Sequence, residues 1–250
     1  MTTEINFGFS TDNYTDGCLH GERQSYRYAN KFFNKITNQV SQSIFGKVHH
    51  YNMDSNRTAS KNDYSLNGAF SNNIDFMIYI GHGLTAIDNK GNRLHYNCDF
   101  NGNYHTNDHN DEDYNAYSSN MHFGSSESKL RWVWLYTCNF LTTGDHVDDA
   151  DLKNMMTGAH IVMGYASTAY LCDNMVEAFA FHLRNGEPII SAFFRAGYEG
   201  EASATSDHHL QKVLYIPQAI NETIYSPCIH YSYNSSDVLT DMHDIQVPYD

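Results

Sequence analysis

Ile74-Asp75-Phe76-Met77-Ile78-Tyr79-Ile80-Gly81-His82-Gly83 is the stretch whose reading decides the fold, and Leu130-Arg131-Trp132-Val133-Trp134-Leu135-Tyr136-Thr137-Cys138-Asn139 is its counterpart. Each is an apolar, β-branched and aromatic run of strand length that stops on a chemically capable side chain. Continuous apolar runs of this kind are buried on both faces, as parallel strands are. In open α/β sheets ligands bind outside the carboxyl ends of the strands, so a histidine at one such end and a cysteine at another are expected to share one cleft. A thiol beside an imidazole is a nucleophile with its base.

Outward from these two runs, residues 4–9 alternate with period two and predict a first strand. Tyr28, Phe32, Phe33, Ile36 and Val40 recur at three- and four-residue spacing, which predicts a helix over 21–43 with an apolar stripe on the sheet. A second short strand is expected over 47–51, where His49 and His50 are read as exposed, and the Asn-, Ser- and Asp-rich segment 52–73 reads as a connection. After Cys138 the pattern predicts a helix near 149–157 capped by Gly158, a buried strand over 159–166, a loop over 167–173, and helices over 175–183 and 188–198. Residues 213–216 read as a strand and the last twenty as a polar extension. Strands alternating with helices argue an α/β fold, a three-layer α/β/α sandwich around a mostly parallel sheet. One domain is expected over 1–250, with a polar surface insertion at 89–128, as a loop or small hairpin excursion, and a C-terminal extension at 200–250.

Fifteen basic against 29 acidic residues give a net charge of −14, which argues against a nucleic-acid backbone or an anionic membrane as partner and favours cationic ligands. Five cysteines, an odd number without a CxxC pair, specify neither a disulfide framework nor a thiolate zinc site. No run approaches the ~18 apolar residues of a membrane span and the first twenty lack the apolar core of a leader. The expectation is a cytoplasmic chain or a secreted one already trimmed, and the sequence does not choose between them. Within the insertion, Asp99, Asn101 and Asn103 form a D-x-N-x-N run around Gly102, followed by Asp108, Asp111, Glu112 and Asp113. Hard oxygens at alternate positions suit calcium, although the glutamate at the twelfth position of an EF-hand is absent, so a calcium site and a solvated acidic loop both stand as expectations.

The strand ending in Gly81-His82-Gly83, the strand ending in Thr137-Cys138-Asn139 and the next strand over 161–166 together resemble the caspase-hemoglobinase fold of the clan CD cysteine peptidases, which include caspases, legumain, clostripain, gingipain and separase. They also resemble an uncharacterised bacterial group with the same landmarks. That resemblance spans roughly 7–198. It implies a cysteine endopeptidase with His82 and Cys138 as catalytic dyad and with the Cys138 N–H as an oxyanion donor, no cofactor being required. It further implies that Tyr165, Ala166 and Ser167 pair with the substrate main chain and that Asp173 falls where peptidases selective for Arg or Lys carry an acid.

The chemistry stands without the family. A neutral imidazole near pH 7 can accept the thiol proton and return it to the leaving amine. Gly83 leaves its N–H unshielded beside His82, a natural oxyanion donor. Two alternatives share these residues. The same dyad could run acyl transfer to an amine, as a ligase or cyclase does, because both reactions pass through one thioester. Or the fold could be a non-catalytic module that binds calcium or a protein partner, in keeping with the acidic insertion and 19 tyrosines.

Overall fold

The computed structural model describes residues 5–11, 24–37, 49–50, 74–87, 93–99, 115–117, 121–125, 128–143 and 149–249. The two diagnostic runs are the central strands of the main sheet: β3 (Phe76–Ile80) and β7 (Trp132–Tyr136), every residue of each buried. Around them lie β1 (Phe7–Thr11), α1 (Gln24–Thr37), β2 (His49–His50), β4 (His82–Ile87), β5 (Arg93–Asp99), β6 (Asn115–Tyr117), α2 (Asp149–Asn154), β8 (Ile161–Tyr165), α3 (Asp173–Arg184), α4 (Ile189–Ala196), a π-helical turn Gly197–Glu201, β9 (Leu210–Tyr215) and β10 (Leu239–Asp244).

The main sheet has seven strands in the order β10-β9-β8-β7-β3-β1-β2. Pairings from β2 to β8 are parallel, while β9 runs antiparallel to both β8 and β10. On one face α1 packs against α3 and α3 against α4. Phe32 of α1 sits with its ring centroid 5.7 Å from Trp134 and 5.9 Å from Phe179, and Trp134 meets Phe179 edge-on at 4.9 Å. Successive strand residues alternate faces, so Met77, Tyr79, Val133 and Leu135 point the other way, and these too are buried. Both faces are therefore covered, and the architecture is the expected α/β/α sandwich with a mostly parallel sheet. Burying each such ring contributes roughly 1.5–3 kcal/mol, so this aromatic layer is what fixes α1, α3 and the sheet against one another.

Several boundaries differ from the sequence reading. The first strand starts later, at Phe7, and α1 is described over Gln24–Thr37 within the helix expected over 21–43. α2 ends at Asn154, so Gly158 is not its cap: a Cβ there would lie 2.4 Å from the Ser125 backbone N, and close passage of 124–125 is what requires glycine. The polar stretch after β3 builds a three-stranded antiparallel sheet, β4-β5-β6, that begins at His82. The last twenty residues do not form a polar extension only, because β10 pairs with β9 along Leu239–Asp244 and closes the edge of the main sheet. The connection expected over 52–73 and the His49 and His50 side chains lie outside the described residues.

Candidate active site

β3 and β7 are in register through Ile80↔Tyr136, and the Gly81 N–H still donates to the Tyr136 carbonyl at 3.3 Å. The two chains then part. Gly81 bends and His82 starts β4, while Thr137-Cys138-Asn139 turns beneath the loop that follows β8. His82 and Cys138 thus stand at equal distances along the chain beyond one paired position of adjacent parallel strands, which lie ~4.8 Å apart. In the second sheet His82 is paired with Asp99 and Gly83 with Cys98. Asp99, from the calcium run, is accordingly a ladder partner of His82, and Asn101 and Asn103 lie outside the described residues. Among the described residues no group of three or more His, Cys, Asp or Glu could hold a metal ion.

Cys138 lies in the turn that follows β7. Its thiol is partly exposed and sits against residue 169 of the loop after β8: the Ala169 N–H donates to Sγ at 3.3 Å, and Sγ lies 3.7 Å from the Ala169 carbonyl. Burial pushes the thiol's pKa up, the Ala169 N–H pulls it back, and the charge of Glu201 adds to the rise, so the net direction is upward. A thiol raised in this way needs a base before it attacks anything near neutral pH. Among the described residues the Cys138 N–H donates no backbone hydrogen bond. Asn139 takes a left-handed conformation, φ 57°, that turns the chain sharply after the thiol, and its N–H is held by the Ser167 carbonyl at 2.7 Å. Asn is among the few non-glycine residues that adopt it readily.

The loop over 166–172 is fastened from below. Tyr136 of β7 donates its hydroxyl to the Tyr170 carbonyl at 2.6 Å and accepts the Cys172 N–H at 3.2 Å. Glu201, fully buried at the end of the π-helical turn, accepts the Tyr165 hydroxyl at 2.7 Å, the His209 Nδ1–H at 2.9 Å and the Tyr170 N–H. Burial holds the Tyr136 and Tyr165 hydroxyls well above their ordinary pKa, with the Glu201 charge pushing the same way. Gly200 permits this turn, since a Cβ there would stand 2.5 Å from the Met175 backbone.

Two groups of expected site residues have partners within the chain. Three main-chain groups of the stretch over 165–167 are bonded: the Tyr165 carbonyl accepts the Leu141 N–H at 2.9 Å, the Ala166 N–H donates to the Leu210 carbonyl at 2.8 Å, and the Ser167 carbonyl accepts the Asn139 N–H at 2.7 Å. Asp173 opens α3 as expected of an acid in a first turn, but its carboxylate is taken by Arg27 and by Lys31 at 2.6 Å on α1. Burial alone would raise its pKa; the hydrogen bonds from Lys31 and Arg27 override that and hold it below the ordinary value. A side-chain cation of a substrate would compete with two resident ones. Sequence reasoning missed Glu201, His209 and Ala169. The acid lies in a π-turn that breaks the 3.6-residue period, and Ala169 acts only through its backbone.

Compared with known proteins, residues 9–224 match the family described as a domain of unknown function, DUF6345. No curated protein matches. Among solved structures, the chain is similar to a secreted C11 cysteine protease from Bacteroides thetaiotaomicron, crystallised with an irreversible peptide inhibitor. The similarity is at 10% identity and a TM-score of 0.47, covering 85% of this chain and 66% of that one, so the chain spans just under two thirds of that protease. Among the described residues no helix is long and apolar enough to cross a membrane.

Proposed function

We propose that this chain, which belongs to the DUF6345 family, is a cysteine peptidase in which Cys138 attacks a peptide carbonyl and His82 moves the protons. The observation that carries the reading is the register Ile80↔Tyr136 between adjacent parallel strands, which sends residues 82 and 138 to the same edge of the sheet. A partly exposed thiol with a raised pKa fits a nucleophile that depends on a base.

In the reaction so read, His82 takes the Cys138 proton as sulfur bonds to the carbonyl carbon. The oxyanion is met by the Cys138 N–H and by Gly83 N–H. The C–N bond breaks while His82 returns the proton to the leaving amine, leaving a thioester. Water then attacks, again losing its proton to His82, and the acid departs with the thiol restored. Because Asp173 is neutralised by Arg27 and Lys31, preference for Arg or Lys is not assigned to it.

The test is a pool of unrelated peptides incubated with the wild type, Cys138→Ala and His82→Ala, with products read by mass. Cleavage by the wild type, its loss in Cys138→Ala and a fall of at least about a hundredfold in His82→Ala are expected. Products heavier than hydrolysis allows would identify acyl transfer to an amine. Undiminished cleavage in Cys138→Ala would move the nucleophile elsewhere.

A further inference from the structure

Among the described residues, the buried polar groups divide into those that tie the fold together and one, Glu201, that reaches the thiol. Glu201 is wholly buried and takes three hydrogen bonds from three different parts of the chain: Tyr165 at the end of β8, His209 just before β9, and the backbone N–H of Tyr170. A carboxylate with no access to water is expected to be saturated in this manner. Tyr170 is the residue after Ala169, and the Ala169 N–H is the group that donates to Cys138 Sγ. Consecutive peptide units therefore hold, in turn, the thiol and the buried acid. The Tyr136 hydroxyl donates to the carbonyl of the peptide unit that follows, that of Tyr170, and so holds the other side of Tyr170.

Building on the assignment of Cys138 as nucleophile, we propose that Glu201 is a positioning residue for it: by gripping the Tyr170 N–H it fixes the Ala169 N–H on the sulfur. The Tyr165 and His209 bonds in turn fix the carboxylate. Gly200 is part of the same device, because only a residue without a Cβ lets the π-helical turn press against the first turn of α3 and bring Glu201 under the loop. Without the acid, the loop over 167–172 would keep the Tyr136 contacts but lose the bond nearest Ala169. The thiolate would then lose its single backbone N–H donor among the described residues.

Two substitutions separate this role from mere stability. Glu201→Gln keeps one oxygen for the Tyr170 and His209 donors and turns its amide toward the Tyr165 hydroxyl, which can accept. Glu201→Met fills the same volume and accepts nothing. Both remove the negative charge, so any difference between them reports the acceptor alone. The readout is the rate at which iodoacetamide alkylates Cys138 at pH 7, resolved by mass spectrometry and measured well below each variant's melting temperature. Glu201→Gln is expected to alkylate at the wild-type rate or faster, and Glu201→Met on the order of tenfold slower than Glu201→Gln, the worth of one hydrogen bond to a charged group. Equal rates in the two variants would overturn the proposal. Should Glu201→Met not fold, amide hydrogen exchange of the wild type decides: Ala169 and Tyr170 must be protected and must open together, and unprotected exchange at either would overturn it. Alkylation and exchange need no turnover, so a wild type that cleaves no peptide would refute the peptidase reading and leave this result standing on its own.

Discussion

The two edges of the main sheet both bury charge, and they do so to opposite ends. At the amino edge Asp75, Arg131 and His160 each directly precede a parallel strand, and their partners close on one another. Arg131 donates to Asp75 at 3.0 Å and to the Ser226 carbonyl at 2.8 Å, while Glu222 accepts Trp132 Nε1–H at 2.7 Å and faces His160 Nδ1 at 2.8 Å. Asn6 joins the same network, its N–H and side-chain amide donating to Asp75 at 2.9 and 3.2 Å, and Glu222 and Ser226 are tied to this edge through it. At the carboxyl edge the network runs from Glu201 through Tyr170 and Ala169 to a thiol that solvent can reach. The sharp turn at Asn139 and the buried Thr137 hydroxyl, which has no hydrogen-bond partner among the described residues, lie at this edge. Buried charge that closes on itself builds a fold; buried charge that ends on a reactive atom builds a site.

The difference can be broken at its closed end first. Arg131→Met leaves Asp75 buried and uncompensated and should cost about 3–5 kcal/mol in urea unfolding. Alkylation of Cys138 in the folded fraction should not change, and a parallel fall would mean that the two edges act as one unit. At the open end the effects on stability are smaller. Asn139→Ala puts a side chain that cannot stabilise it locally into the left-handed region and should cost about 1–2 kcal/mol, whereas Asn139→Gly should be neutral or stabilising by up to about 1 kcal/mol. If both variants are equally destabilised, the Asn139 side chain rather than its φ matters.

Asp173 gives the smallest effect. Its ion pairs with Arg27 and Lys31 are partly solvated, so Asp173→Asn should cost about 0–1 kcal/mol at neutral pH. The folded-state pKa is lowered below the unfolded value of about 3.9, so this stability is complete above that value and is lost as pH falls through the folded one. Wild type and variant should therefore differ at pH 6 and converge in strong acid when their unfolding midpoints are compared.

What could be read from the residues alone follows from what period and burial encode. The central strands were legible because all five residues of β3 and of β7 are apolar and buried, a pattern that surface segments do not imitate. Cys138 and His82 stand out in the sequence because each lies two positions beyond the last residue of such a run, and the roles given to them rest on the proposal above. The β9 strand was read short because it begins Leu-Gln-Lys: Gln211 and Lys212 are buried, paying their way through bonds to the Phe193 carbonyl and to Asp149 that no local pattern announces. β10 was missed for the opposite reason, since an exposed edge strand needs no apolar face. Glu201 could not be found from spacing, and the substrate role given to Asp173 did not foresee two cations arriving from α1, far away in sequence.

The central claim is that Cys138 is a nucleophile served by His82, and the pH dependence of its alkylation tests it most directly. Burial raises the pKa of this thiol, so left to itself it should react slowly at pH 7 and faster only as pH climbs above the ordinary thiol range. With His82 as its base, wild-type Cys138 should be alkylated at pH 7 faster than Cys172 and Cys228, and at least about tenfold faster than in His82→Ala, where the rate should recover only in alkali. Identical profiles in the wild type and His82→Ala would contradict the account and return Cys138 to the rank of a structural thiol.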